Sequence, residues 1–279
     1  MIPNSKITFL ILAAIAFYSS INSLNALPQW INLAARTSSA TSSNYTPYVA
    51  TFDGVNDTIR QTSSGPAGLS ADASRVECSF WVKFNGGDNT LQQIFRITNS
   101  SDDTPRFSIT RRADNKIQFY GAVPAGTSAV SITSTLTVTS SSGWVHIYLF
   151  TDMTNTAIRG IYINGVSDTI NILSYVNNAV IDYNGINYRY TFGGDGLTTS
   201  TPSLNASLAD FYWNDSVSCT IDDFYNTGEP VFLGETGGLP SGATPVFFLS
   251  RAGDSNNWST NSGTGGNFTV TGSLTTEPF

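Results

Sequence analysis

Residues 51–59, Thr-Phe-Asp-Gly-Val-Asn-Asp-Thr-Ile, indicate a strand, a tight turn and a second strand. Phe52 and Ile59 are the apolar ends of the stretch, and Asp53-Gly54 lies between them with a second polar pair. An Asp-Gly pair suits a turn because glycine accepts a positive φ without steric cost. The stretch therefore predicts the beginning of an all-β domain.

The chain beyond residue 47 continues the same pattern. Apolar and β-branched runs recur every 8–12 residues with turn residues between them, and no segment keeps the 3.6-residue apolar period of a helix. Asn115 and the Asn164-Gly165 pair are hairpin signals. Examples of the predicted strands are Leu91–Thr98, Arg106–Arg111, Lys116–Tyr120, Trp144–Thr151, Ala157–Asn164 and Tyr188–Phe192. This regularity predicts a two-sheet antiparallel β-sandwich.

Five later segments, in order, resemble motifs of a known family. They are Glu77–Phe84 (ECSFWVKF), Gly143–Tyr148 (GWVHIY), Gly160–Val166 (GIYINGV), Phe192–Gly194 (FGG) and Leu208–Trp213 (LADFYW). Together with residues 51–59 they resemble the concanavalin A-like lectin/glucanase domains, particularly the laminin-G-like branch. The resemblance implies a jelly-roll sandwich and does not specify a ligand.

The C-terminal region adds a second resemblance. Trp258–Thr275, with the Gly-rich run Gly263–Gly266, looks like the ending of concanavalin A-like structural proteins of tailed phages. Gly228–Gly234 resembles another of their motifs. Phe268 and Val270 alternate with threonines, which predicts an edge strand or a strand that joins subunits. The resemblance implies a virion component.

The N-terminus contains an 11-residue apolar run, residues 7–17, after Lys6. Residues 1–26 are expected to form a hydrophobic helix, which is either a cleaved secretory signal or a retained segment. A retained segment would be a membrane anchor, with membrane contact through residues 7–24, or a helix docked in a larger assembly. Residues 27–47, rich in Ser and Thr, are expected to be a linker. Residues 48–279 are assigned to the sandwich with a C-terminal strand extension.

The amino-acid composition limits the classes of partner that the protein can be expected to bind. Charged residues make up 12% of the 279-residue chain, and the formal net charge is −7. A nucleic-acid-binding protein needs a basic surface, so nucleic acid is not an expected partner. The abundance of hydroxyl and amide side chains suits a protein on a virion surface or outside the cell.

Strand alternation predicts two different faces for the central strands. In residues 75–84, Cys78 and Phe80 are predicted to face the core, and Trp81 the opposite side. Trp144 and Tyr148 are placed on the outer side by the same rule. These three rings are the candidate carbohydrate-binding residues, because aromatic faces stack on the C–H faces of sugars. The alternative is that loops or a neighbouring subunit cover them.

No catalytic pattern is visible. Glycoside hydrolysis needs two carboxyl groups on either side of the bond, and none of the glutamates forms the alternating carboxylate motif of the glucanase relatives. The glutamates are Glu77, Glu229, Glu235 and Glu277. His146, the single histidine, lacks a recognisable catalytic partner. We therefore predict that the domain is not an enzyme.

A calcium ion is the one cofactor that the sequence suggests. Asp53 and Asp57 place carboxylate oxygens in one turn, and Ca²⁺ prefers such ligands. The family resemblance implies a calcium site between this turn and the acidic residue of the late strand, here Asp210. The alternative is an Asx-turn without a metal.

Cys78 and Cys219 are the two cysteines of the chain, and they form either one disulfide or two free buried thiols.

The expected function is that of a non-enzymatic virion surface or fibre protein that contacts host-surface glycans. It is expected to assemble as a symmetric oligomer, with copies of itself or other virion proteins as partners. The alternatives are a secreted or membrane-anchored bacterial lectin or adhesin, and a purely structural capsid decoration protein.

Overall fold

The structure is a computed structural model that describes residues 46–63, 69, 71–101, 104–185, 187–194, 203–250 and 258–279. The expected signal or anchor at residues 1–26 and the linker up to residue 45 lie outside the described residues, as does the expected N-terminal helix. Within the described ranges, no helix is both long and apolar enough to cross a membrane.

The described residues form strands joined by turns and two short 3-10 helices, Ser140–Ser142 and Ile221–Asp223. The strands are β1 Tyr48–Asp53, β2 Thr58–Ser63, β3 Arg75–Phe84, β4 Gln92–Asn99, β5 Pro105–Arg111, β6 Lys116–Ala122, β7 Ser128–Thr137, β8 Val145–Asp152, β9 Arg159–Ile163, β10 Val166–Ser167, β11 Ile170–Tyr175, β12 Tyr188–Phe192, β13 Asn205–Asn214, β14 Tyr225–Asn226, β15 Glu229–Pro230, β16 Phe247–Leu249, β17 Thr269–Thr271 and β18 Thr275–Pro278.

Two large antiparallel sheets pack face to face. Sheet A has the strand order β10-β9-β8-β3-β13-β1-β18, with β16 paired to β13. Sheet B has the order β11-β7-β6-β5-β4-β12-β2-β17. Neighbouring strands in both sheets are antiparallel wherever the register is defined. The prediction of an all-β, two-sheet antiparallel sandwich of jelly-roll type is confirmed.

The core lies between the sheets, where alternation predicted it. Val76, Cys78, Phe80, Val82 and Phe84 of β3 are all buried in one hydrophobic cluster with side chains of sheet B. Aromatic rings from both sheets meet in that cluster, and the Phe95 and Phe211 ring centroids are 5.2 Å apart. Because the inward residues of β3 are uninterrupted and apolar, they hold sheet A against sheet B over the whole length of the strand.

The Asn164-Gly165 pair forms the predicted two-residue hairpin between β9 and β10. Both residues have positive φ, 51° and 77°, and Ile163 pairs with Val166 across the turn. A β-carbon on Gly165 would lie 2.5 Å from the Tyr225 ring, so glycine is also needed here for packing. Asn115, with φ 59°, makes the second predicted hairpin turn, between β5 and β6.

The C-terminal residues complete both sheets. β17 pairs with β2 at the edge of sheet B, and β18 pairs with β1 at the edge of sheet A. β17 lies at the end of sheet B, as expected for an edge strand at residues 268–271, and both C-terminal strands pair with strands of the sandwich. Tertiary pairing between strands far apart in sequence produced this closure.

The two cysteines are free and buried. Cys78 lies in the core between the sheets, whereas Cys219 belongs to a separate cluster with Tyr148 and Phe224. The cysteine side chains therefore lie on opposite faces of sheet A, and the alternative of two free thiols is the one observed.

Candidate functional site

Trp81 is on the outer face of sheet A, as alternation predicted, but it is only 3% exposed. Its ring stacks on Tyr225, with centroids 5.8 Å apart and planes tilted by 22°. The Phe279 ring covers Trp81 from another direction, with ring centroids 5.4 Å apart. The expectation that this ring is available to stack on a sugar is therefore corrected, because residues distant in sequence cover it.

Tyr148 is covered in a similar way and is 2% exposed. The Phe224 ring lies 5.2 Å from it, and its hydroxyl donates to the Cys219 carbonyl oxygen at 2.9 Å. Tyr212 belongs to the same buried cluster. The segment around residues 219–248 thus covers this part of sheet A, and Tyr148 anchors that segment to the sheet.

Trp144, the third candidate, is half-buried. Phe279 packs on it with ring centroids 4.5 Å apart, and the Lys83 ammonium lies 5.5 Å from its ring centre. Of the three predicted aromatic residues, Trp144 is therefore the one that leaves part of its side chain in contact with solvent. The alternative that loops cover the outer aromatic row describes Trp81 and Tyr148.

Glu77 and His146 on the same face of sheet A are fully buried. The Glu77 carboxylate accepts hydrogen bonds from the backbone N–H groups of Ser218 and Cys219, each at 3.1 Å. Burial raises the pKa of Glu77, although these bonds oppose the rise. Burial lowers the pKa of His146 to about 3, and its Nε2 lies 2.8 Å from the Ser79 hydroxyl. Glu77 thus binds the segment at residues 218–219 to sheet A, and His146 links strand β8 to strand β3. Both roles are structural.

Asp53 and Asp57 shape the turn between β1 and β2. The Asp53 carboxylate accepts from the backbone N–H groups of Val55, at 2.7 Å, and Asn56, at 3.3 Å. Asp57 accepts from the Asp53 N–H at 3.0 Å and from the Ser273 N–H at 2.6 Å. The Asp53 bonds are those of an Asx-turn, and the Asp57–Ser273 bond joins this turn to the C-terminal region. Both carboxylates therefore have a structural role without a metal ion.

Asp210 is not brought to this turn. Asp53 pairs with Asn205 on β13, and Asp210 lies five residues further along that strand. The separation along the strand is about 16 Å, since each of the five residues advances about 3.3 Å. Asp210 is buried in a bulge of β13. Across the described ranges, no group of three or more His, Cys, Asp or Glu side chains could hold a metal ion. Asp53, Asp57 and Asp210 therefore do not fit a shared calcium site.

The outer face of sheet B has a different character, and we call it the polar face. The buried core residues of β4, β5, β6 and β12 alternate with polar residues that point away from the core. One row across the sheet, defined by the pairing register, consists of Arg60, Thr191, Arg96, Ser108, Tyr120 and Ser131. Hydroxyl and guanidinium groups therefore line a surface that spans six strands.

A groove of about 400 Å³ opens at one end of the polar face, over β6, β7 and β11. Its lining combines charged, amide, hydroxyl and aliphatic groups: Arg112, Asp114, Lys116, Thr133, Ile170, Asn171, Ile172 and Leu173. Thr133 is 3% exposed, and its hydroxyl has no hydrogen-bond partner within the described residues. The groove lies within the usual size range of small-ligand pockets, roughly 300–1,000 Å³.

The groove was not predicted from the sequence. Its residues come from a turn and three strands, and β7 and β11 were not among the strands singled out. The available signal was the outward polar alternation in residues 116–122 and 128–137, which indicates a solvated face without saying that a groove crosses it. Chemically, hydroxyl, amide and charged groups beside aliphatic side chains can bind a polar ligand that also has apolar C–H surfaces.

Comparison with known proteins agrees with this architecture. A family model described as the concanavalin A-like lectin/glucanases superfamily matches residues 66–218. A search of curated proteins found no match. Among solved structures, a candidate carbohydrate-binding protein from Bacteroides ovatus matches with a TM-score of 0.56 and 14% identity. That match covers 84% of this chain and 60% of the Bacteroides chain, and at this identity it concerns the fold alone.

Two further solved structures have lower TM-scores. Domains LG4-5 of the mouse laminin alpha1 chain match with a TM-score of 0.44 and 11% identity, over 62% of this chain and 44% of that chain. The CBM40 of a Ruminococcus gnavus sialidase, bound to sialyllactose, matches with a TM-score of 0.41 and 11% identity, over 61% and 93%. The family match covers more than half of the sequence, and the sandwich has the corresponding fold. The chain therefore belongs to the concanavalin A-like lectin/glucanases superfamily.

Proposed function

We propose that this protein is a non-catalytic, lectin-like domain that binds glycans through the polar face of sheet B. The single observation that supports this location most directly is the groove over β6, β7 and β11. Asn171 and Lys116 offer hydrogen-bond donors there, and Ile172 offers an apolar surface. Sugars present hydroxyl groups and apolar C–H patches together, which matches this combination.

The outer face of sheet A is the less suitable location. Trp81 and Tyr148 pack against Tyr225 and Phe224, so a sugar would first have to displace the covering segment. Displacement would also break the bond between the Tyr148 hydroxyl and the Cys219 carbonyl. A preformed groove requires no such rearrangement, and pockets for small ligands are usually preformed.

A glycan array followed by calorimetry tests the proposal. Purified protein should bind at least one glycan, and Asn171→Ala and Thr133→Val should each weaken that binding about threefold or more, in line with the loss of one hydrogen bond. Asn226→Ala, at an exposed position away from the groove, is the matched control. Unchanged affinity in both groove variants would place the site elsewhere, and no binding to any glycan would contradict the lectin-like function.

The biological setting is a further part of the proposal. We infer that the protein is a surface or fibre component of a virion, contacts host-surface glycans, and assembles as a symmetric oligomer with itself or with other virion proteins. The resemblance of Trp258–Thr275 to the ending of phage structural proteins supports this setting. A virion-surface or other extracellular location also suits the low content of charged residues.

Mass spectrometry of purified particles tests the setting, because it detects the protein and determines its N-terminus. Light scattering after size-exclusion chromatography measures the oligomeric state. Detection in particles with glycan binding supports the proposal. Detection in particles without any glycan binding favours a structural decoration protein, and absence from particles with glycan binding favours a secreted or membrane-anchored bacterial adhesin.

A further inference from the structure

Besides the Thr133 hydroxyl in the groove, the polar face has a cluster of three buried polar atoms without a hydrogen-bond partner within the described part of the chain. They are the hydroxyl oxygens of Thr98 and Thr191 and the Nη1 atom of Arg189. Both threonines are 1% exposed. Buried polar atoms are nearly always paired in folded proteins, so a cluster of unpaired atoms calls for a physical explanation.

The sheet register brings these three side chains together. Arg189 of β12 is the direct cross-strand partner of Thr98 of β4. Thr191 lies two residues along β12, on the same face as Arg189, because side chains alternate along a strand. Direct partners have β-carbons about 5 Å apart, and residues i and i+2 are about 7 Å apart. A guanidinium and two hydroxyls therefore surround one small area of the polar face.

The two buried arginines of the described residues each have a carboxylate partner. Arg106 is paired with Asp182 at 3.2 Å, and Arg111 with Asp88 at 2.8 Å. No carboxylate of the described residues pairs with Arg189. An unpaired donor of a charged group is costly to bury, and its natural complement is an anion.

We propose that Arg189, Thr98 and Thr191 form a subsite for an oxyanion carried by a glycan, either a carboxylate or a sulfate ester. The planar guanidinium donates two parallel hydrogen bonds to such a group, and each threonine hydroxyl donates one more. Arg189 is half-buried, so part of its side chain is open to an approaching ligand, whereas the buried threonine hydroxyls become accessible only when a neighbouring side chain moves. The inference rests on the proposed glycan-binding function of the polar face and narrows the ligand to acidic glycans.

Calorimetry with matched ligands tests this subsite. The probes are trigalacturonic acid, its fully methyl-esterified form and a sulfated galactose oligosaccharide, with the unsulfated oligosaccharide as a neutral reference. The variants are Arg189→Gln, Arg189→Lys and the double variant Thr98→Val with Thr191→Val, which keeps the side-chain shapes. Arg159→Gln, on sheet A, removes the same charge from a residue that stacks on Tyr175 and is the control.

The expected result is that the wild-type protein binds at least one of the two acidic probes at least tenfold more tightly than its neutral counterpart. Arg189→Gln should abolish that preference, the double threonine variant should reduce it at least threefold, and Arg189→Lys should restore part of it. Arg159→Gln should leave it unchanged. Thermal melts confirm that each variant is folded.

Equal affinity for acidic and neutral probes would overturn the subsite, and so would an acidic preference that survives Arg189→Gln. Inorganic sulfate that binds as tightly as the acidic probe would overturn the assignment to a glycan. Failure of the subsite differs from failure of the proposed function: glycan binding that depends on Asn171 but not on Arg189 leaves the function in place. No binding of any acidic or neutral glycan contradicts both.

Discussion

Phe80 on β3 and Ile147 on β8 are direct cross-strand partners, and both side chains are completely buried. The pair therefore sits on the inner face of sheet A, where it packs against sheet B. Phe80 also contacts the Phe211 ring, with centroids 5.8 Å apart. Through these two contacts, Phe80 links β3 to its neighbours β8 and β13.

Truncation of this pair should destabilise the protein strongly. Phe80→Ala should cost about 3–5 kcal/mol of unfolding free energy and Ile147→Ala about 2–5 kcal/mol, through lost burial and a remaining cavity. Chemical denaturation of the purified domain measures both values. A loss below about 1 kcal/mol at both positions would contradict the assignment of the inner face.

Trp81→Ala should affect stability rather than glycan binding. The variant removes a ring that is 3% exposed and packs on Tyr225 and Phe279, so the cost should be about 3–5 kcal/mol. Trp144→Ala, at a half-buried position, should cost less and is the companion variant. Calorimetry on the folded fraction should show unchanged glycan affinity. A large loss of affinity with unchanged melting temperature would restore Trp81 as a binding residue.

His146 should not titrate near neutral pH. Burial lowers its folded-state pKa to about 3, whereas the unfolded value is 6.5, so below pH 6.5 the unfolded state binds the extra proton. The contribution of His146 to the free energy of unfolding should therefore fall as the pH decreases from 6.5 towards 3, by about 1.4 kcal/mol per pH unit. Because the chain has one histidine, a single NMR resonance reports the folded-state titration. A midpoint between pH 6 and 7 would show that His146 is accessible to water.

The pH dependence of unfolding provides a second measurement for His146. The difference in unfolding free energy between the wild type and His146→Gln should shrink as the pH falls from 6.5 to 4. Comparison with a variant is needed because carboxylates also change protonation at acidic pH, and burial raises the pKa of Glu77 above its ordinary value. A constant difference across the range would contradict the lowered pKa of His146.

Calcium should leave the melting temperature unchanged. The Asp53 and Asp57 carboxylates already accept backbone hydrogen bonds in the β1–β2 turn, and Asp210 lies away from it. Scanning calorimetry with millimolar CaCl₂ or EDTA measures the effect, with Asp57→Asn as the companion variant. A rise in melting temperature with calcium that disappears in Asp57→Asn would support the calcium site instead.

Purified protein should release no reducing ends from β-glucans or bacterial polysaccharides. Hydrolysis needs two suitably placed carboxyl groups, and Glu77 is buried and held by Ser218 and Cys219. A reducing-sugar assay over a range of pH measures the activity. Activity that one Asp or Glu substitution abolishes would contradict the non-catalytic assignment.

Much of the sandwich could be predicted from the sequence because strand patterns are local. The boundaries predicted for residues 75–84 and 188–192 agree with β3 and β12, and the Asn164-Gly165 hairpin is confirmed. Alternation also placed Phe80 inside and Trp81 outside. These features depend on the two-residue period of a strand and on turn chemistry, which neighbouring residues determine.

What lies over each sheet face depended on the tertiary structure. Trp81 is on the outer side of sheet A by local pattern, yet it is buried by Tyr225 and Phe279, which are more than a hundred residues away. The grouping of Arg189 with Thr98 likewise follows from the pairing of β12 with β4. Local sequence determines which side of a strand a residue occupies. Long-range packing decides whether that side faces water, protein or a ligand, because burial is a property of the whole chain.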